Sequence, residues 1–385
     1  MTPRRDLLKG AIGTPLAGTA RTRSSKLIEI ENRKPGSKDW QLTRLRIDRK
    51  GGFRSPWMEG YCSSQSVEAG DTIDIMVSAN PPGRFKLEIF RMGYYGGLGA
   101  RLMHTLGPLM ARTQPDPPIA DRRLRECRWE PSVQVKIPGD WPSGVYLGRL
   151  GLLPESASPA PWQSYVVFIV RDRRPADILF QASDNTWQAY NRWPDNYSLY
   201  ISPRGSLTGD VDVSFDRPYG MYAQIFEAPQ SVGSGEFLLW EFPLCYWLEK
   251  HGYDVTYCSN SDMVDPACAA RARIFLSVGH DEYWDPRQYD SAKAAIASGV
   301  SELYLSGNAV CFLSPFRPSS SGAPNRIITR AGRFGGLTSE EKKQMGPFAM
   351  EGPNENLLMG ARTITPFNLN YARKSLRRRL FVGAA

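Results

Sequence analysis

The chain has 385 residues, 41% of them apolar and 23% charged, ordinary proportions for a folded chain of about two domains. Its net charge of +9 lies at the ends: residues 1–26 carry a net +5 and Arg373–Arg379 another +5, so the body is near neutral and lacks the basic face a nucleic-acid partner requires. The six cysteines contain no CxxC pair, which argues for buried free thiols over structural zinc, and no apolar run reaches the ~20 residues of a membrane span.

The chain opens with a basic leader over 1–26. Arg4-Arg5-Asp6-Leu7-Leu8-Lys9 and the mild apolar run after it have the pattern of a twin-arginine export signal; the competing reading is a plain basic N-terminus on a cytoplasmic protein. From 27 to 172 the pattern is short strands of period two, among them Thr72-Ile73-Asp74-Ile75-Met76-Val77 and Phe85-Lys86-Leu87-Glu88-Ile89-Phe90. Alternation buries one face and wets the other, and turn signals such as Asn80-Pro81-Pro82-Gly83 separate the runs. This predicts an all-β sandwich. Arg171-Asp172-Arg173-Arg174-Pro175 breaks the pattern and marks a domain boundary.

From 173 to 368 apolar strands alternate with helices. Strands are predicted at Ile178–Gln181, Tyr253–Tyr257, Arg273–Val278 and Glu302–Ser306, and helices at Glu236–His251 and Pro286–Ser298, each helix followed by a glycine. Such interleaving predicts an α/β domain with a mainly parallel sheet, whose ligands bind outside the carboxyl ends of the strands, in the loops expected after Gln181, Val278 and Ser306. Residues 314–335 are rich in Pro, Ser, Gly and Arg and read as loop, and the basic tail over 369–385 departs in texture from what precedes it.

Three segments at the strand ends hold candidate chemistry. Val278-Gly279-His280-Asp281-Glu282-Tyr283-Trp284 contains one of only three histidines and two adjacent carboxylates. Glutamate is a hard oxygen ligand, and a neighbouring histidine can orient it or relay a proton. A capped turn with solvated polar groups is the plainer reading, and the rim position puts the two on level terms. Ser183-Asp184-Asn185-Thr186-Trp187-Gln188-Ala189-Tyr190-Asn191 is dense in hydrogen-bonding groups and aromatics, as binding-site walls are; taken alone it reads as an aromatic corner packed on the neighbouring domain. In Ser214-Phe215-Asp216-Arg217-Pro218-Tyr219 a proline fixes the direction of Tyr219, or simply makes a surface turn.

Together, Asn185–Asn191, Asp216–Tyr219, Gly279–Trp284 and Leu305-Ser306-Gly307-Asn308 resemble the N,N-dimethylformamidase large-subunit family. Ile89–Gly97, Trp141–Tyr146, Arg333–Leu337 and Met350–Asn356 are similar to family segments as well, and the likeness spans about residues 45–368. The resemblance implies a domain similar to the class I glutamine-amidotransferase fold and hydrolysis of amide or related C–N bonds in a small molecule. It also implies a mononuclear, ferric iron held by two tyrosines and a glutamate. Carried over by motif, the glutamate is Glu282, with His280 beside it. The tyrosines are Tyr190 and Tyr219, with Tyr197, Tyr200 and Tyr222 as rivals. His280 or Asp281 would move a proton and Asn308 orient the substrate, with Asn185, Trp187 and Trp284 lining its site. A small accessory subunit or a homo-oligomer is the implied partner. The family pattern runs on past Asn368, so the tail reads as a truncated or frame-shifted end. Two rivals stand beside this reading: a hydrolase using Cys311 as nucleophile, and a non-catalytic binding or secreted protein.

Overall fold

The computed structural model describes residues 26–45, 53–55, 57–154, 161–205, 208–220 and 231–361. The twin-arginine segment, Tyr222 and the basic tail lie outside them. Among the described residues the strands form five sheets, one of them wholly parallel.

After a short helix α1 (Leu27–Asn32) come eight strands: β1 (Glu59–Cys62), β2 (Ser66–Glu68), β3 (Thr72–Ser78), β4 (Gly83–Met92), β5 (Ala100–Ala111), β6 (Pro131–Lys136), β7 (Gly144–Leu152) and β8 (Gln163–Arg171). They make two sheets, ordered β1-β3-β6 and β2-β8-β7-β4-β5. Ile73, Ile75 and Val77 of β3 meet Phe85, Leu87 and Ile89 of β4 and Val166, Phe168 and Val170 of β8 in one core. Each such aliphatic side chain contributes about 1.5–3 kcal/mol on leaving water.

A wet outer face does not hold for β7, which is buried along its whole length. Tyr146 and Leu150 face the core between the two sheets, whereas Val145 and Leu147 point the other way. There they join Ile178, Phe180, Val255, Leu276 and Val278 in a second core. The two parts of the chain therefore share a core across the sequence break. Arg91 of β4 reinforces it with a buried, two-pronged ion pair to Glu249, at 2.8 and 3.0 Å.

The remaining elements are β9 (Ala176–Gln181), α2 (Asp184–Tyr190), β10 (Asp212–Ser214), α3 (Phe242–Lys250), β11 (Val255–Cys258), α4 (Pro266–Ala270), β12 (Ala272–His280), β13 (Tyr283–Trp284), α5 (Pro286–Ala297), β14 (Ser301–Gly307), β15 (Phe312–Leu313), β16 (Ile327–Thr329), β17 (Gly332–Phe334) and β18 (Met350–Gly352). The order β11-β9-β12-β14 is parallel throughout, as the alternation of strands and helices predicts. The helix expected over Glu236–His251 opens as a π-turn at Phe237–Glu241 before α3. Pro243 has no N–H to return to the turn behind it, and the wider turn accommodates that. Asp285 caps α5 by accepting the Arg287 amide at 2.8 Å.

Two expectations need correcting. Residues 314–335 are not all loop: β16 and β17 lie there, in the pair β10-β16 and the sheet β13-β15-β17-β18. The segment after Gln181 is a helix, α2, rather than a loop. No described helix is long and apolar enough to cross a membrane.

Candidate functional site

β12 ends at His280, and the chain turns there because Gly279 adopts φ +80°. A side chain at Gly279 would also lie 2.9 Å from Cγ of Glu241, so glycine is required twice over. Glu282 is then fixed through its backbone. Its N–H donates to Oγ1 of Thr186 in α2 at 2.9 Å, and its carbonyl accepts from the amides of Phe312 (2.8 Å) and Cys311 (3.1 Å).

Two phenols reach the Glu282 carboxylate. Tyr190, at the end of α2, donates to Oε2 at 2.8 Å, and Tyr200 donates to the same Oε2 at 2.7 Å. The tyrosine rings stack at 4.3 Å between centroids. The Leu199 amide, bonded to the Ala189 carbonyl at 2.9 Å, folds the loop back so that Tyr200 lies beside Tyr190. His280 Nε2 is 3.5 Å from the same Oε2, and Asn308 Nδ2 is 3.5 Å from His280 Nε2. Asn308 holds φ +49° directly after β14, a left-handed conformation that asparagine tolerates better than most residues.

Burial governs the electrostatics. Glu282 is 4% and His280 7% exposed. Burial, followed by the charge of Glu282, drives the Tyr190 and Tyr200 phenols far above their usual range. Burial also holds His280 below the usual imidazole value, against the pull of Glu282. Without a cation the cluster is thus two neutral phenols and a neutral imidazole around one carboxylate. Arg330 adds a buried positive charge, its guanidinium 4.4 Å from the centre of the Tyr200 ring and 4.5 Å from that of Phe312, and it donates to the Tyr283 hydroxyl. It opposes the rise at Tyr200.

The other expected residues lie elsewhere. Tyr219 packs edge-on against Trp187, with 6.2 Å between ring centroids, because the chain on both sides of it is tied to Asn191. Of the rivals, Tyr200 and not Tyr219 stands at Glu282, and Tyr197 lies beneath Arg123 and Arg125. Asp281 is fully buried and turned into the sheet. It accepts from Ser277 (2.8 Å), Asn260 (3.0 Å) and Gln181, and so ties strand ends together. Asn185 is also fully buried and donates to the Tyr283 carbonyl at 3.0 Å. Trp187 donates to Glu241 at 2.8 Å, and Trp284 packs on Phe275 and Tyr304 inside the core. All three side chains are buried and none of them touches Glu282, although Trp187 lines a cavity with Tyr219 and Arg217.

Sequence reasoning missed Arg330, since a lone arginine between two short strands leaves no periodic signal. It also passed over Arg217 within a motif chosen for its tyrosine. Burial, followed by the charge of Glu282, pushes the thiol of Cys311 up to about 12, the reverse of what a nucleophilic thiolate needs.

Among the described residues no cluster of three or more His, Cys, Asp or Glu could hold a metal. The set at Glu282 is of another kind: two phenol oxygens and one carboxylate oxygen, all hard donors, converging on one point. The two phenol hydrogens that now fill the space at Oε2 are the ones a cation would displace. A family model described as "N,N-dimethylformamidase beta subunit-like, C-terminal" matches residues 86–383. No curated protein matches the chain.

Proposed function

The chain belongs to the N,N-dimethylformamidase beta subunit-like family, and on that footing we propose that it is a metal-dependent hydrolase of amide or related C–N bonds. Tyr190, Tyr200 and Glu282 would hold a single ferric ion. The observation that carries the reading is the meeting of both tyrosine hydroxyls on one oxygen of Glu282, at 2.8 and 2.7 Å.

Such an ion supplies Lewis acidity, toward an amide carbonyl and toward water, whose pKa it lowers from about 15.7 towards ~7. The protein's own groups do the rest. His280, kept neutral by burial, accepts the proton of the attacking water and returns it to the leaving nitrogen. Asn308 steadies the imidazole from 3.5 Å and orients the substrate beside it. The stacked rings of Tyr190 and Tyr200 close one side of the cluster to bulk water. A family named for a subunit suits work beside a small accessory chain or a second copy.

The test is direct. The purified protein should contain about one iron and show the visible colour of ferric phenolate. A folded, colourless protein that takes up no iron would sink the proposal.

A further inference from the structure

The Asp216-Arg217-Pro218-Tyr219 motif does not deliver a phenol to Glu282, yet it holds a singular arginine. Arg217 is 1% exposed, and all five of its N–H groups meet oxygen. Nε donates to Gln188 Oε1 (2.7 Å), Nη1 to the carbonyls of Trp193 (2.9 Å) and Tyr197 (3.0 Å), and Nη2 to those of Gln188 (3.1 Å) and Asn191 (3.0 Å). Among the described residues no carboxylate pairs with it, and burial pushes its pKa down to about 9. A buried cation without a counter-ion is costly to keep, so its hydrogen bonds must be needed.

What those bonds fasten is the stretch of chain between Tyr190 and Tyr200. Gln188 belongs to the last turn of α2, and Asn191, Trp193 and Tyr197 follow in the loop that leads to Tyr200. Asn191 tightens the same knot. Its Oδ1 accepts from the amides of Trp193 (3.1 Å) and Gly220 (3.0 Å), and its Nδ2 donates to Gln188 Oε1 (2.8 Å) and the Pro218 carbonyl (2.9 Å). The fork of a guanidinium satisfies several carbonyls at set angles, which a lysine ammonium cannot reproduce.

From this geometry we infer that Arg217 is a positioning residue: it sets the spacing of Tyr190 and Tyr200, and through them the affinity of the oxygen site for its cation. The part concerning the cation rests on the metal reading above; the part concerning the tyrosine pair does not.

The experiment compares Arg217→Lys and Arg217→Met in the full chain with wild type and with Tyr219→Phe. Metal-free protein comes first. Both Arg217 variants should keep far-ultraviolet circular dichroism but lose the near-ultraviolet tyrosine signal that a Tyr190→Phe/Tyr200→Phe double variant also loses. With ferric citrate as the probe, they should bind iron about 10- to 100-fold more weakly and with a displaced visible band. Tyr219→Phe should match wild type in both readouts. Folded Arg217 variants with wild-type tyrosine signal and wild-type iron affinity overturn the inference. If wild type itself takes up no iron, the metal reading falls. The near-ultraviolet comparison then decides alone, retention of the signal overturning the inference and its loss upholding it. Should neither Arg217 variant fold, Gln188→Ala removes a single acceptor and should cause a smaller change in the same direction. An unchanged signal there overturns the inference equally.

Discussion

Tyr190 and Tyr200 lie ring on ring, with centroids 4.3 Å apart and planes inclined by 26°, and both hydroxyls aim at one oxygen of Glu282. A carboxylate served by two phenols on one side gathers three hard oxygens, the set that the proposed ferric ion would need in exchange for the two protons.

Glu282→Gln keeps the shape and removes the charge. The variant should fold, retain no iron by emission spectroscopy, and lose roughly 100-fold or more in kcat/KM on amide substrates. Because a buried carboxylate is replaced by a neutral amide, thermal unfolding of the metal-free protein should change little. A Glu282→Gln protein with wild-type iron content removes this residue from the ligand set.

The phenols should separate cleanly. Tyr190→Phe and Tyr200→Phe each take away a donor 2.7–2.8 Å from Glu282 and should weaken or abolish the visible band. Tyr219→Phe, against Trp187, should leave the band unchanged. Absorption spectra of the three iron-loaded variants decide between Tyr200 and Tyr219.

His280 and Cys311 should behave oppositely. His280→Ala should lower kcat by about 10²–10⁴ while iron stays bound, as expected on removing a general base. Since burial lowers the imidazole pKa, the acid limb of the wild-type rate profile should fall below the usual pH ~6.5 for histidine. Cys311→Ala should retain activity, because a thiol pushed up to about 12 is not ionised at neutral pH.

Asp184 should make stability depend on pH. Burial pushes its carboxyl up to about 8; the Asn260 amide opposes the rise, and the charges of Asp262 and Asp281 add to it. The folded state therefore binds this proton more tightly than the unfolded chain, where the pKa is about 3.9. Its contribution is complete below pH ~4 and is lost as pH rises through about 8. Asp184→Asn keeps the oxygen that accepts the Asn260 amide and removes the titration. Urea unfolding at pH 5 and pH 9 should show wild type losing a few kcal/mol more than the variant between the two conditions, since a tenfold difference in proton affinity between folded and unfolded chain is worth about 1.4 kcal/mol.

The Arg91–Glu249 pair should report on the union of the two parts of the chain. Glu249→Ala leaves a buried guanidinium with less compensation and should cost about 3–5 kcal/mol in chemical denaturation. Arg91→Met combined with Glu249→Leu should recover part of that loss. Full additivity of the two single changes would mean that the pair does not act as a unit.

Much of the framework was legible in the sequence, because strands such as β3 and β4 are long enough to display their period and β12 stands out as an apolar run. The two-residue strands β13 and β15 are too short to have one, and their pairing depends on contacts distant in sequence. Within the site, Glu282, His280 and Tyr190 could be read from motifs at strand ends. The choice of Tyr200 could not. It depends on a loop folded back by the Leu199–Ala189 bond and wound about Arg217, neither of which alters the local pattern of residues. The burial of Asp281, Trp187 and Trp284 was not legible for the converse reason. Chemistry-bearing side chains at a strand's end look alike in sequence whether they face the solvent or the core.

The Leu199–Ala189 bond is made by main-chain atoms alone, and four of the five acceptors around Arg217 are peptide carbonyls. Trp193 and Tyr197 meet Arg217 through their carbonyls, so their side chains can change without loosening its hold, whereas those of Gln188 and Asn191 cannot. Under the proposed function, the spacing of the two phenols would then rest largely on main-chain atoms of this stretch.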